Sequence, residues 1–186
     1  MRWIAIPMAF ALMVVATIAA AGTSAITQES IGGLRIGLTA RAYTKLLGKP
    51  AYQQPFSDPA LSTWKRLVYA KRGLSIHFPP KKSRSAVITT WNSSYKTAAG
   101  VGPCATITEL KLAYGSRLKP SKFNTQHGVV YAYTLGKNLI FASNSPHSIV
   151  EVVGLYNGSD PNVEQPGGTL AYAGGIALTE RACRRS

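Results

Sequence analysis

The pattern of hydrophobic and polar positions occurs twice along the chain. Residues 33–48 and 100–115 each begin with glycine and an apolar residue and end on glycine. Each stretch carries a threonine, Thr39 or Thr106, ahead of an apolar-periodic run, and the two threonines lie 67 positions apart. A threonine can accept a hydrogen bond from an amide of the first helical turn, and glycine suits the left-handed conformation that ends a helix. The pattern therefore predicts two short helices.

The two predicted helices differ at their first turn. Glu109 follows Thr106 by three residues, which predicts a capping box, whereas the matching place after Thr39 is Ala42. Apolar side chains form one stripe on each helix, so both need a sheet to pack against. These stripes consist of Tyr43, Leu46 and Leu47 in the first helix, and Leu110, Ala113 and Tyr114 in the second.

Alternation of apolar and polar residues predicts three strands after each helix. In residues 74–78 the apolar side chains share one face, and Ser75 and His77 share the other. The sequence thus predicts an α+β fold, a tandem repeat of a short helix plus an antiparallel β-meander with the helices packed on one face of the sheet. The predicted strands are 64–70, 74–78, 86–91, 129–134, 139–142 and 149–155, with loops at 49–62 and 116–128.

The chain divides into an export signal, two repeats and a tail. Arg2 precedes an almost wholly apolar run that ends in small residues, which is typical of a cleaved signal peptide. The same run is long enough to anchor the protein in a membrane if it is not cleaved. With cleavage, we expect a secreted protein of the extracellular space or cell envelope without a transmembrane span. The predicted segments are 1–25 (signal), 31–97 and 98–160 (repeats) and 161–186 (tail).

Two cysteines, Cys104 and Cys183, occur in the sequence. In an exported chain we expect them to form a disulfide that ties the tail to the start of the second helix. A thiolate at a helix N-terminus would be a possible nucleophile, but no His–Asp or His–Asn arrangement accompanies Cys104. The disulfide is therefore the preferred interpretation.

The formal net charge is +14, and cleavage of a signal containing Arg2 would leave +13. The cations are spread along the chain without a block of five or six like charges, so they do not form a disordered basic tail. Such an excess attracts polyanions, including anionic envelope polymers, although it also serves solubility alone. We do not expect specific nucleic-acid binding.

No pattern in the sequence indicates catalysis or a metal site. His77, His127 and His147 lack close metal-ligand spacing, and the few carboxylates suggest no acid–base pair. Phosphate-binding, serine-hydrolase, zinc-protease and dinucleotide motifs are absent from the sequence. The sequence therefore predicts a protein that is not an enzyme and uses no cofactor.

A resemblance rests on the IGLT turn at 36–39 and on the order of the repeated elements. The tandem of a glycine-bounded helix and a meander resembles the architecture of the β-lactamase inhibitory protein, in which two α/β repeats form a concave sheet. The segments TAAGVGPCATITELKLAYG and YAYTLGKNLIF are similar to uncharacterised exported bacterial proteins. This resemblance implies fold and export, and it carries no activity and no contact residues.

Two functions follow as hypotheses. The first is a secreted, non-catalytic binding module that uses an open sheet face to bind an extracellular protein, and it requires exposed aromatic residues. The second is a basic protein that binds a polyanion or cell-envelope polymer through lysine and arginine. Exposure or burial of the aromatic residues distinguishes them. The candidate binding surface comprises Trp64, Lys65, Tyr69, His77, Trp91, Tyr131, Lys71, Arg72, Lys81, Lys82 and Arg84.

Overall fold

A computed structural model describes residues 24–55, 64–125 and 128–157 together with Cys183. The expected signal segment falls almost entirely outside the described residues, as does the predicted tail except for Cys183. The helices are α1 (Ala40–Leu47) and α2 (Ile107–Tyr114). The strands are β1 (Ala25–Ile26), β2 (Tyr52–Pro55), β3 (Lys65–Tyr69), β4 (Leu74–Phe78), β5 (Val87–Thr90), β6 (Lys96–Thr97), β7 (Leu118–Thr125), β8 (Gly128–Leu135), β9 (Leu139–Ser143) and β10 (Val152–Tyr156).

Both predicted helices begin at their threonine caps. The Thr39 hydroxyl accepts a hydrogen bond from the amide of Ala42 at 3.3 Å. In α2 the Thr106 hydroxyl accepts from the Glu109 amide at 3.0 Å, and a Glu109 carboxylate oxygen accepts from the Thr106 amide at 2.6 Å. This hydrogen bond from the Thr106 backbone is the main reason why the pKa of Glu109 is lowered. The predicted capping box is confirmed.

Both helices also end at the predicted glycines. Gly48 has φ 84° and Gly115 has φ 50°, and their amides donate to the carbonyls of Thr44 and Lys111 respectively. Side chains rarely adopt these positive φ values, so glycine is needed at both places. The predicted left-handed conformation is wrong at both glycines, because their ψ angles, −168° and −128°, differ from those of a left-handed helical residue.

An eight-stranded antiparallel sheet dominates the fold. Its strand order is β2-β3-β4-β5-β10-β9-β8-β7, so the last strands of the two halves, β5 and β10, pair in the middle. A separate two-stranded parallel sheet joins β1 to β6. An antiparallel sheet with two helices is an α+β architecture, and the predicted fold class is confirmed at this level.

Two segments predicted as loops contain strands. The loop prediction for 49–62 is wrong at β2, which pairs with β3. The loop prediction for 116–128 is wrong at β7, which pairs with β8. Both strands lie at the ends of the sheet and contain proline, Pro55 and Pro120, with mostly polar neighbours. Edge strands tolerate proline and polar residues because one side of the strand makes no ladder hydrogen bonds. The short strands β1 and β6 were also missed.

A single buried cluster forms the main core. It contains Tyr43 of α1 and Ile107 and Leu110 of α2 together with apolar strand residues from both halves of the sheet. Tyr43 also fixes the entry to α1, because its hydroxyl hydrogen-bonds with the Arg35 carbonyl and, at 2.7 Å, with the Ser85 hydroxyl. Burial raises the pKa of Tyr43 to about 12. The strand members are Leu67, Tyr69, Leu74, Ile76, Phe78, Ile88, Leu118, Tyr133, Leu135, Leu139, Phe141, Val153 and Leu155.

The predicted disulfide between Cys104 and Cys183 is present, and the Cα atoms are 5.4 Å apart. The Cys104 amide donates to the Val150 carbonyl at 2.8 Å, which holds the first cysteine beside the strand region that leads into β10. The structure describes no free cysteine. Because the sulfur of Cys104 is covalently bound, it is not available as a nucleophile.

Reduction of the disulfide should lower the melting temperature. The bridge joins residues 79 positions apart, and a loop of that length contributes about 4 kcal/mol in the chain-entropy account. Calorimetry with and without a reductant measures the change, and the C104A/C183A variant checks it without added reagent. An unchanged melting temperature in both samples would contradict a stabilising role.

Replacement of Gly115 by valine should destabilise the protein by about 2 kcal/mol, because a β-branched residue is strained at this positive φ. A Cβ at Gly115 would meet no atom within 4 Å, so crowding does not contribute. Chemical denaturation of Gly115→Val and of the neighbouring control Ser116→Ala measures the difference. The control should change stability by less than about 0.5 kcal/mol. Equal effects would contradict the assigned helix end.

Candidate functional site

The second face of the sheet, opposite the main core cluster, is buried at its centre. Successive strand residues point to opposite faces, so this face carries the residues that alternate with the core members. Ser75, His77 and Thr89 on this face are each 0% exposed. Apolar neighbours on the same face, Val68 and Ile140, are buried as well. The expectation of an open face is therefore wrong for these residues.

Three polar side chains form a hydrogen-bonded group on the second face. The Ser75 hydroxyl lies 2.7 Å from His77 Nε2 and 2.8 Å from the Thr89 hydroxyl. His77 Nε2 and the Thr89 hydroxyl are 3.4 Å apart. The registers of β4 with β3 and β5 place Ser75 opposite Thr89 and His77 opposite Arg66. Buried polar groups are costly unless they are paired, and this arrangement provides such pairing.

Burial keeps His77 neutral. Loss of hydration lowers the pKa of His77 well below its ordinary value, and the nearby positive charge of Arg66 lowers it further. A serine beside a neutral imidazole is the pairing found in nucleophilic catalysis. Ser75 and His77 are both inaccessible to solvent, however, so a substrate cannot reach the hydroxyl in this structure. The group stabilises the sheet interior.

The aromatic members of the predicted binding surface are mostly buried. Trp64 is 3% exposed, Tyr69 4% and Trp91 8%, so their assignment to a surface is wrong, as it is for His77. The two tryptophans belong to small apolar clusters, and Tyr69 belongs to the main core. Tyr131 is half-buried, with Lys122 Nζ 5.9 Å from its ring centroid. The aromatic side chains therefore do not form one exposed platform.

The basic members of the predicted surface are exposed but lie at two ends of the β3–β4 hairpin. Lys71 and Arg72 are in a short 3₁₀ turn, Ala70–Arg72, at the end where β3 leads into β4. Lys65 begins β3 and lies opposite Phe78, the last residue of β4, at the other end. The remaining three residues belong to the loop that follows β4, close to this second end. They are Lys81, Lys82 and Arg84.

Lys65 and Lys82 line a cavity of about 470 Å³ between α1 and the edge of the sheet, which we call the basic cavity. Arg41 in the first turn of α1 completes its exposed basic lining. Arg66 of β3 also borders the cavity, but strand alternation directs its side chain to the second face, where it lies opposite His77. Two buried apolar side chains also line it. The other lining residues are Thr39, Ala40, Gln53, Leu67, Phe78 and Ser83.

Hydrogen bonds hold the loop after β4 against the start of α1. The Arg84 guanidinium donates to the Gly37 carbonyl at 2.8 Å. The Ser85 amide donates to the Leu38 carbonyl at 3.0 Å, and the Gly37 amide donates to the Ser85 carbonyl at 3.0 Å. These bonds bring Lys82 beside Arg41, although the two residues are far apart in the sequence.

The exposed cations of the basic cavity have no carboxylate partner among the residues that the structure describes. Within the described residues, none of Arg41, Lys65 and Lys82 forms an ion pair. The first turn of α1 contains no acidic residue, in contrast to Glu109 in α2. Arg41 also lies near the positive end of the helix dipole, which disfavours a cation there. This arrangement of like charges is suited to binding an anion.

The sequence analysis identified two of the three exposed cations of the cavity, Lys65 and Lys82, and missed Arg41. One feature of the sequence pointed to Arg41. It is a basic residue in the first turn of a helix, and that turn contains no acidic residue. This feature indicates an anion-binding site only once the fold shows that Lys65 and Lys82 line the same cavity as Arg41.

The described residues contain neither a cluster of metal-ligating side chains nor a membrane-spanning helix. No three metal-ligating side chains come together in the part of the chain that the structure describes. Among the helices described, neither α1 nor α2 is long and apolar enough to cross a membrane.

Comparisons with known proteins do not identify a family. No protein family model matches the chain, and no curated protein matches it. A solved structure of an extracellular protein containing an SCP domain, from Bacillus anthracis str. Ames, is similar at 9% sequence identity and a TM-score of 0.44. The match covers 69% of this chain and 45% of the other. We base no conclusion about fold or function on this likeness.

The protein should lose stability as the pH falls from 7.5 to 5.5. The pKa of His77 is lowered in the folded state, so the unfolded chain binds a proton that the folded chain does not, and unfolding is favoured below about pH 6.5. The expected loss is about 1 kcal/mol, measured by urea denaturation at the two pH values.

The His77→Gln variant provides the control for this pH dependence. Its absolute stability should be lower, but its free energy of unfolding should change less between pH 7.5 and 5.5. The range lies above the titration of Glu109, whose pKa is lowered from 4.5. An equal pH dependence in both proteins would contradict the role of His77.

Proposed function

We propose that the protein is an exported, non-catalytic binding protein that holds an anionic polymer of the cell envelope in the basic cavity. The observation that carries this proposal is the convergence of Arg41, Lys65 and Lys82 from three separate elements on one cavity. Positive side chains around a recess concentrate the field and attract polyanions more strongly than scattered charges do. The net charge of +14 supports the same preference.

Burial of the tryptophans is the reason for preferring a polyanion over a protein partner. The protein-partner hypothesis required an exposed aromatic face, and Trp64 and Trp91 are buried. The basic residues of the alternative hypothesis are exposed. The polyanion hypothesis therefore has the support of a defined surface, and the protein-partner hypothesis does not.

We also propose, as part of this function, that the two halves are tandem repeats with both helices on one face of a shared sheet. Each half has one helix followed by four strands of the eight-stranded sheet in the same order, and the short strand β6 lies between β5 and α2. The helices start at Ala40 and Ile107, which keeps the 67-residue offset of the caps. The main core cluster includes residues from both helices. Export is supported by the disulfide, which is typical of oxidising compartments.

Removal of the three exposed cations of the cavity should weaken polyanion binding strongly. The R41A/K65A/K82A variant should bind dextran sulfate at least ten-fold more weakly than the unaltered protein at low salt. The slope of log affinity against log salt concentration should fall by about two, because fewer counterions are released. Binding to immobilised dextran sulfate across a salt series measures both quantities, with uncharged dextran as the blank.

The matched control is K45A/K49A/K111A, which removes the same charge from exposed residues outside the cavity. Its affinity should change by less than three-fold. Equal losses in the two triple variants would show that net charge, and not the cavity, carries binding. A failure of the unaltered protein to bind dextran sulfate at low salt would contradict the proposed function.

A further inference from the structure

A second cavity, of about 500 Å³, lies in the other half of the sheet. It is separate from the basic cavity and shares no residue with it. Strands β7 and β8 and the turn between β8 and β9 form its sides, and β10 contributes one residue. The lining residues with polar side chains are Lys119, Ser121, Thr134, Lys137, Asn138 and Tyr156. We call it the hydroxyl cavity.

Strand register brings these side chains together. Lys119 lies opposite Thr134 across the β7–β8 ladder, and Ser121 is two residues along β7 on the same face. The Tyr156 amide donates to the Asn138 carbonyl at 2.9 Å, which joins the turn to β10. Tyr156 is 8% exposed, and its hydroxyl is hydrogen-bonded to the Thr134 side chain. The polar lining is therefore held by the sheet.

The turn between β8 and β9 is supported from another part of the chain. Gln28 Nε2 donates to the Leu135 carbonyl at 2.9 Å. Gly136 has φ 65°, and a Cβ there would come within 2.5 Å of the Gln28 side chain. The Gln28 hydrogen bond therefore supports the backbone of the turn beside the cavity.

Two lysines supply the positive charge of the hydroxyl cavity. Lys119 and Lys137 are both exposed, and within the described residues neither forms an ion pair. No carboxylate from the described part of the chain lines the cavity. Each lysine has three donors, and both ammonium groups are available to a phosphate or carboxylate in the cavity.

The other polar side chains of the lining suit a ligand that carries several hydroxyl groups. Hydroxyl and amide side chains both donate and accept hydrogen bonds, as the hydroxyls of a sugar do, so the two sets can satisfy each other. A nucleic-acid base would need an exposed aromatic face for stacking, whereas Tyr156 is buried. A lipid chain would need an apolar wall, whereas Pro120 and the ring of Tyr156 supply the apolar surface in a lining of otherwise polar side chains and Gly136.

We infer that the hydroxyl cavity binds an anionic saccharide unit, a sugar bearing a phosphate or a carboxylate. This inference rests on the proposed function, because it makes that unit part of the polymer held by the basic cavity. The anion contacts Lys119 and Lys137, and the sugar hydroxyls contact Ser121, Thr134 and Asn138. The polymer is then an anionic polysaccharide or polyol phosphate, and not a nucleic acid.

An NMR titration of the purified, disulfide-bonded protein tests this assignment. The probes are glucose 6-phosphate, glucuronate, inorganic phosphate and glucose, and the reporters are the amide signals of Lys137 and Asn138. A sugar phosphate or a sugar carboxylate should shift these signals with a Kd at least ten-fold lower than that of inorganic phosphate. Comparison of the first two probes shows which anion the cavity prefers.

Two variants identify the groups responsible. K119A/K137A should raise the Kd for the preferred sugar anion at least ten-fold, whereas the control K45A/K49A should change it by less than two-fold. Thr134→Val should weaken binding of the sugar anion at least three-fold and leave the Kd for inorganic phosphate unchanged, because it removes a hydroxyl and no charge. All of the substituted lysines are exposed, so the lysine variants preserve the core.

Equal Kd values for the sugar anions and inorganic phosphate, or no shift at Lys137 and Asn138, would overturn the inference. Dextran sulfate binding is measured on the same samples to separate this failure from that of the proposed function. Dextran sulfate binding without a response to either sugar anion would contradict the inference alone. Absence of dextran sulfate binding would contradict the proposed function.

Discussion

The pairing of β5 with β10 is the interaction on which the rest of the structure depends. Residues Val87–Thr90 lie antiparallel to Val153–Tyr156 and join two four-stranded halves into one sheet. Without this pairing each half would have a second unprotected edge and only one helix to cover its apolar residues. With it, Ile88 and Val153 enter a cluster that also includes residues of both helices. The two cavities are then carried by opposite halves of one sheet.

Local sequence signals predicted the helices and the inner strands well. Thr39, Thr106, Glu109 and the terminal glycines act within one helical turn, so the sequence alone determines their roles. The strand 74–78 was identified because its apolar residues alternate with polar ones. In contrast, β2 and β7 obtain their strand conformation from partners distant in the sequence, and their own residues gave little sign of it. Edge strands are therefore the elements that sequence reasoning missed.

The candidate site was harder to predict because it depends on burial and on contacts between distant residues. Alternation placed Ser75 and His77 on a shared face but could not show that this face is covered. Trp64 directly precedes β3 and Trp91 directly follows β5, and an aromatic residue at such a place suits a core or a binding surface equally, so only its burial decides. Lys65 and Lys82 were identified from charge alone, whereas the role of Arg41 required the loop that Arg84 fastens to Gly37.

The two outer strands have a consequence for self-association. In the described part of the chain, β2 and β7 are the terminal strands of the sheet, and each contains a proline. Lys119 and Lys122 add positive charge along β7. Proline removes an amide donor, and lysine repels a second copy of the same strand. Edges of this kind disfavour growth of the sheet by addition of a strand from a second copy.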